Sequence, residues 1–323
     1  MKRFYEFIHR AKAQGVKVTE VTDFMQYPTA VLEYNGNYEL IAGHTPSSWV
    51  NVRSRYYSQN KQLTKSAYEI LGIPYPKSIA FQNPAEQNLL DFFVPGQLYV
   101  CKPLTGKQGQ GVKMNVNSME MIQDYWQTHK DTYDLFMLEE QKQGKDVRLL
   151  VIEGKVVAAC SRIPAYVVGN GKDDLQTLIE KRQKVLSELH DDVFLIIDED
   201  SKYHIASQNL SLGSIPEKGR QVQLKSIANI STGGIAVDIT DELHPAYQEW
   251  VTGICTFLKQ GYFGIDIIST DFTKNPYQNA WIIELNARPK WGIHIGSERK
   301  QYDVIRIMLE ALFGKDLFPG ESK

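Results

Sequence analysis

Apolar runs short enough for strands, helical stripes between them and no regular strand–helix–strand alternation predict an α+β fold of several small layers. Phe4, Phe7, Ile8 and Ala11 form a helical stripe that ends near Gly15. Residues 31–41 read as a hairpin about Asn35-Gly36, and residues 61–71 as a helix closed by Gly72 with Pro74 beyond it. Asn83-Pro84 is expected to open a short helix, with Asn as cap and Pro at the first helical position. Residues 98–102 and 135–139 are strands, and residues 118–129 a helix. A hairpin turns at Glu153-Gly154 between 147–152 and 155–163. Leu175, Leu178, Ile179, Leu186 and Leu189 mark a helix over 173–190. Two more are expected over 244–260, closed by Gly261, and over 302–313, closed by Gly314.

The 323 residues suffice for a sizeable core in one large or two to three small domains. Lys+Arg 36 against Asp+Glu 38 leaves no charge excess that would draw the chain to nucleic acid or a membrane surface. Three scattered cysteines, Cys101, Cys160 and Cys255, read as reduced core residues. No apolar run approaches the roughly 18 residues of a membrane span and the N-terminus lacks a signal-peptide pattern, so a soluble cytoplasmic protein is expected. The seven histidines show no metal spacing, and no Ser-His-Asp or Cys-His set stands out. Arg53-Ser54-Arg55-Tyr56-Tyr57 reads as a packed or solvated segment before it reads as a base-stacking surface.

The densest chemistry lies in residues 281–290. An apolar strand carries Glu284, Asn286 and Arg288 at alternate positions, which puts them on one face. Trp281 at its start reads as core. A second apolar strand over 264–268 carries Asp266, and pairing the two strands would bring Asp266 beside Glu284 and Asn286. Such hard oxygen donors suit Mg²⁺ under substrate phosphates.

Three loops add to this. Lys102 ends a strand and precedes a loop holding Gly106, Gly109 and Gly111, where backbone N–H groups and an ammonium can cradle phosphate. The loop is neither a Walker A motif nor a dinucleotide fingerprint, and a hairpin tip with a surface lysine is an equal reading. Glu139, Glu140 and Asp146 flank a charged turn that suits a nucleotide hinge or a solvated face. Residues 225–240, with Lys225, Asn229 and Gly233-Gly234, suit an anion site or a long hairpin loop.

Together these segments resemble the ATP-grasp superfamily. The likeness lies in Arg148-Leu149-Leu150-Val151, Val156-Val157-Ala158-Ala159, the run from Arg162 through Gly169-Asn170-Gly171-Lys172, Ala228-Asn229-Ile230-Ser231-Thr232-Gly233-Gly234 and Asp238 to Pro245. It runs from about Arg55 to Arg288 and is similar to the ATP-grasp region of cyanophycin synthetases and of bifunctional glutathione synthetases. One departure is Asn170 where the family carries aspartate between two glycines.

The resemblance implies an ATP-grasp fold that holds nucleotide between a small lid subdomain, 61–138, and a C-terminal mixed-sheet core, 139–323, after a short N-terminal region, 1–60. It implies an ATP-dependent carboxylate–amine ligase that works through an acyl-phosphate and releases ADP and phosphate. A non-catalytic ATP-binding module and a phosphotransferase that forms no amide are the rival readings. Lys61 and Lys102 would bind phosphates, the loop with Gly106, Gly109 and Gly111 would close over them, and Glu139, Glu140 and Asp146 would face adenosine. Asp266, Glu284 and Asn286 would hold Mg²⁺, with Mn²⁺ admitted in its place. Arg162, Lys225, Asn229 and Arg288 would surround the γ-phosphate and the activated carboxylate. The expected partners are a small-molecule or peptide carboxylate and an amino acid or amine, with no nucleic acid or membrane; a homodimer is the default assembly.

Overall fold

The computed structural model describes residues 2–22, 27–105, 111–189, 193–225 and 228–318. The first layer is an antiparallel sheet in the order β1 (Lys17–Thr22), β2 (Pro28–Tyr34), β3 (Asn37–Ala42), β4 (Thr45–Pro46). Asn35 and Gly36 both take positive φ, 48° and 77°, so the two-residue turn matches the twist of the strands it joins. The helix Lys2–Ala13 buries Phe4, Phe7, Ile8 and Ala11. They share one cluster with Ala30, Leu32 and Ile41 of this sheet and with Val304, Met308 and Leu309 near the C-terminus. The beginning and end of the chain thereby close on each other.

Two helices follow, Val52–Gln59 and Lys61–Ile70, each started by an asparagine side chain, Asn51 and Asn60, that accepts from a first-turn N–H. They lead into a four-stranded antiparallel sheet of β5 (Ser78–Phe81), β6 (Tyr99–Pro103), β7 (Lys113–Val116) and β8 (Phe136–Glu140), ordered β5-β8-β6-β7. The helix Met119–His129 covers it, packing Ile122 and Tyr125 onto Phe81, Tyr99, Cys101, Phe136 and Leu138. The helix expected from Asn83-Pro84 begins later, at Gln87–Phe92. Asn83 spends its side-chain oxygen on Ala85 N, and Glu86 accepts from Gln82 N and Asn83 N. These bonds make residues 82–86 a turn rather than a helix start.

The largest layer is an antiparallel sheet of five strands. β9 (Lys145–Ile152) and β10 (Lys155–Ile163) form the expected hairpin about Glu153-Gly154, both at positive φ. The chain then leaves through β11 (Tyr166–Val168), the helices Leu175–Leu189 and Glu199–Ser207, and β12 (Gln221–Gln223), which pairs with β11. It returns as β13 (Ile235–Asp238), the helix Tyr247–Leu258, β14 (Phe263–Ser269) and β15 (Ala280–Asn286), in the order β13-β10-β9-β14-β15. β12 and β13 belong to different sheets, so these two strands do not form a hairpin.

Alternation along β9 shows how this sheet divides its faces. Val147, Leu149 and Val151 pack on Tyr247, Trp250 and Ile254 of the covering helix. Leu150 and Ile152 point the other way, into the cluster shared with the N-terminal sheet, and Asp146 and Arg148 continue that second row. One face is thus apolar along its length, while the other changes from apolar to charged.

The helix expected over 244–260 ends at Leu258, where Lys259 takes the left-handed conformation, φ 54°. Gly261 does not close it; its carbonyl accepts from Gly154 N, and a Cβ there would meet that nitrogen at 2.8 Å. The helix Val304–Phe313 does end at Gly314 as expected. Among the described residues no helix is long and apolar enough to cross a membrane.

Candidate active site

A cavity of about 790 Å³ lies between the four-stranded and five-stranded sheets. Val100, Lys102, Met114 and Glu139 line it from the small sheet, and Asp146, Arg162, Asp266, Ile268 and Glu284 from the large one. Lys61 and the connection over 140–145 also line it.

On the large sheet, register creates the charge cluster. Asp266 of β14 stands opposite Glu284 of β15 on one side and Arg148 of β9 on the other. Arg148 Nη1 donates to Asp266 Oδ2 at 2.6 Å, Arg162 Nη2 lies 2.9 Å from Oδ1, and Asn286 Nδ2 donates to Oδ2 at 2.9 Å. Burial works to raise the Asp266 pKa, but the two guanidiniums outweigh it and hold the carboxyl below its ordinary range. Asp146 accepts from Arg162 at 2.8 Å, yet burial, aided by the charge of Asp266, pushes it up to about 6. Glu284 is also raised, by burial first and then by Asp266, against the pull of Lys61.

Two observations test this place for a divalent cation. Asp266 Oδ1 is buried and accepts no hydrogen bond within the described structure, its Arg162 contact being one of distance alone. Glu284 lacks enough nearby positive charge to ionise at its ordinary pKa. Both carboxylates would gain from a hard cation between them, so the residues fit Mg²⁺, which takes few protein oxygens and keeps water or phosphate as its other ligands. Among the described residues no three of His, Cys, Asp and Glu group as a metal cage.

On the small-sheet wall the charges are inverted. Glu139 is buried, and its two oxygens are taken by Lys65 Nζ, at 2.5 Å, and by Lys102 Nζ. Glu139, expected to face adenine, lines the cavity with its carboxylate held by these two lysines. Burial lowers the Lys65 pKa to about 8 against the opposing pull of Glu139. Lys61 Nζ donates to Leu104 O at 3.1 Å, and burial lowers its pKa too. Glu140 pairs with Lys142 at 2.7 Å, and that lysine lies 5.3 Å over the ring of Trp281. Trp281 is only half-buried, whereas Trp291 is buried in the core, donating Nε1 to His44 O.

Several expected residues lie elsewhere. β15 ends at Asn286, so strand alternation no longer governs Arg288. Arg288 Nη2 donates to Tyr27 Oη at 3.1 Å and Ala42 O at 3.2 Å, on the N-terminal sheet and off the cavity wall. Lys225 is buried in an ion pair of 2.6 Å with Asp198, in the unit formed by β11, β12 and their two helices. Asn229 caps the short turn Ile230–Thr232, and it is the neighbouring Ala228 that reaches the cavity. Asn170 accepts from Lys172 N and Asp173 N and so shapes the approach to the helix Leu175–Leu189. Gly106 and Gly109 lie outside the described residues. Gly111, at φ 67°, packs against Pro103, where a Cβ would meet Cγ at 2.9 Å.

Sequence reasoning passed over Arg148, Lys65 and Arg299. Arg148 sits two residues after Asp146 on one strand face, and Lys65 one helical turn after Lys61. Those spacings were available signals. Arg299 carried none: it reaches the cavity from a loop at φ 74°, paired with Glu242 at 2.6 Å.

A charged cavity between a small antiparallel sheet and a larger one, in this strand order, defines the ATP-grasp fold. The crystal structure of a bifunctional glutathione synthetase from Pasteurella multocida matches with a TM-score of 0.71 at 22% identity, over 96% of this chain and 44% of that one. In sequence the chain is similar to cyanophycin synthetase of Trichormus variabilis, 31% identical over 262 residues, covering 79% of this chain and 29% of that protein. It is also similar to the bifunctional glutathione biosynthesis protein of Desulfotalea psychrophila, 28% identical over 313 residues, covering 92% of this chain and 39% of that protein. The chain has the ATP-grasp fold, resembles these synthetases in sequence and spans 29% to 39% of their length. No family model matches it.

Proposed function

We propose that this chain is an ATP-dependent carboxylate–amine ligase that joins a small-molecule or peptide carboxylate to an amino acid or amine and releases ADP and phosphate. The observation that carries the reading is the division of charge across the cavity: Lys61 and Lys102 on one wall, the Asp266–Glu284 pair on the other. In this reading residues 61–138 are the lid subdomain, residues 139–323 the core and residues 1–60 the N-terminal region. β8 carries Glu139 and Glu140 into the lid sheet, and the helix Lys61–Ile70 rests on the core.

A carboxylate resists amine attack because its carbon is electron-rich and oxide is not a leaving group. Transfer of the γ-phosphoryl group to a carboxylate oxygen, with ADP departing, makes an acyl-phosphate; attack of a neutral amine then expels phosphate and loses one proton. Catalysis of such steps is positioning and charge neutralisation. Lys61 and Lys102 would hold phosphate oxygens. Asp266 and Glu284 would hold Mg²⁺, or Mn²⁺ in its place, which when bound neutralises the phosphates. Arg148 keeps Asp266 ionised and fixed, and Arg162, shared between Asp146 and Asp266, places a guanidinium in the wall where a carboxylate can be received. No side-chain nucleophile is required.

The test is phosphate release from ATP and Mg²⁺ with a panel of carboxylates and amino acids, followed by mass analysis. Amine-dependent phosphate release with an amide product is expected. No stimulation across a broad panel would overturn the ligase reading.

A further inference from the structure

We propose that Lys65 is a positioning residue for the nucleotide: acting through Glu139, it leaves the charge of Lys102 available to phosphate and pins the small sheet to the core. The inference rests on the reading that the cavity takes ATP.

Lys65 is buried on the helix Lys61–Ile70, whose Tyr68 belongs to the core beneath the five-stranded sheet. All three acceptors of its ammonium lie on the small sheet or at its entry. Pro76 O at 2.8 Å and Ser78 Oγ at 2.7 Å lie at the entry to β5, and Glu139 Oε2 at 2.5 Å lies on β8. An ammonium has three protons, so its geometry is fully used. It therefore fastens the small sheet to the core where the chain passes between them.

The second half of the argument is charge. Glu139 offers one oxygen to Lys65 and the other to Lys102. With both lysines the trio carries one positive charge in excess. Without Lys65 it is neutral, and the carboxylate binds Lys102 alone. Lys102 reaches the cavity wall and Lys65 does not, so the excess charge is presented to the cavity through Lys102.

Calorimetric titration of the full chain with MgATP and with adenosine tests this. A unit charge within several ångströms of a phosphate, at the effective dielectric of a partly buried site, supports a loss of about tenfold in ATP affinity for Lys65→Met. Adenosine affinity should stay unchanged, because adenosine carries no phosphate. Lys65→Gln, which keeps an N–H donor for Pro76 and Ser78 but no charge, should show the same selective loss and serves where Lys65→Met fails to fold. In a Lys102→Met background either exchange should add little, because Glu139, then buried without a lysine partner, takes up a proton and presents no new charge to phosphate. Equal losses for ATP and adenosine, unaltered ATP affinity, or full additivity with Lys102→Met would each overturn the proposal. A wild-type chain that binds neither probe would overturn the nucleotide reading and this inference with it; a wild type that binds ATP isolates the result to Lys65.

Discussion

Glu139 on the small sheet is shared by two lysines, while Asp266 on the large sheet is shared by two arginines and faces a second carboxylate, Glu284, across the strand pair. With Lys61 included, three lysines stand against Glu139 on the first wall, and Glu140 has its own partner in Lys142. On the second, Asp146, Asp266 and Glu284 outnumber Arg148 and Arg162. Both clusters are buried, but only one has positive charge to spare. A polyanion gains at the lysine wall and a cation gains at the carboxylate wall, so a metal–phosphate ligand is complementary to the gap between them.

The largest effect should come from breaking the shared carboxylate of the second wall. Asp266→Ala strands Arg148 in a buried site and takes from Arg162 one of its two carboxylates, which should cost about 3–5 kcal/mol of stability, read by urea unfolding. A stable variant would mean the arginines do not depend on Asp266. Glu284→Gln sharpens the contrast. Its pKa is already raised, so the neutral amide removes a buried charge that the fold disfavours, and stability should hold or rise slightly. Turnover should fall by about 10²–10³, on the scale of losing a group that stabilises charge in the transition state. Retained turnover would take Glu284 out of the metal site.

The connection between the walls comes next. Gly144 takes φ 154°, and a Cβ there would meet Ser269 O at 2.6 Å. Gly144→Ala should cost about 1–3 kcal/mol by strain and clash, measured by thermal unfolding; no shift would mean the walls tolerate movement at their junction. The smallest effect lies outside both walls. Lys225 and the ordering Ser201 contacts overcome the burial of Asp198 and lower its pKa to about 2 from 3.8. Its contribution is present above about pH 4 and lost as pH falls toward 2. Asp198 is half exposed, so solvent limits that contribution to about 1 kcal/mol or less. Asp198→Asn should remove this acid dependence, and an unchanged profile would show the pair contributes nothing measurable.

Much of the fold could be read from the chain because periodicity is local. The stripe of Phe4, Phe7, Ile8 and Ala11, the Asn35-Gly36 turn and the Glu153-Gly154 turn all depend on backbone geometry within a few residues. Local hydrogen bonding also explains a miss: Asn83 and Glu86 close a turn before the helix can start. Within the site, Asp266, Glu284 and Asn286 came together because the pairing keeps register from Gly264 to Asp266 and alternation holds from Glu284 to Asn286, on one side of the bulge that follows Asp266. Arg288 parted from them because it lies beyond the strand, where that rule ends.

The alternation of faces, the turns and the supply of oxygen and ammonium groups are legible along the chain, since these follow from local geometry and residue chemistry. The tertiary structure alone decided which charge answers which. Glu139 is 37 residues from Lys102 and 74 from Lys65, and Asp266 is 118 from Arg148. At such separations the partner of a buried charge is set by sheet register and by desolvation, which makes an unpaired ion costly wherever the chain brings it inside.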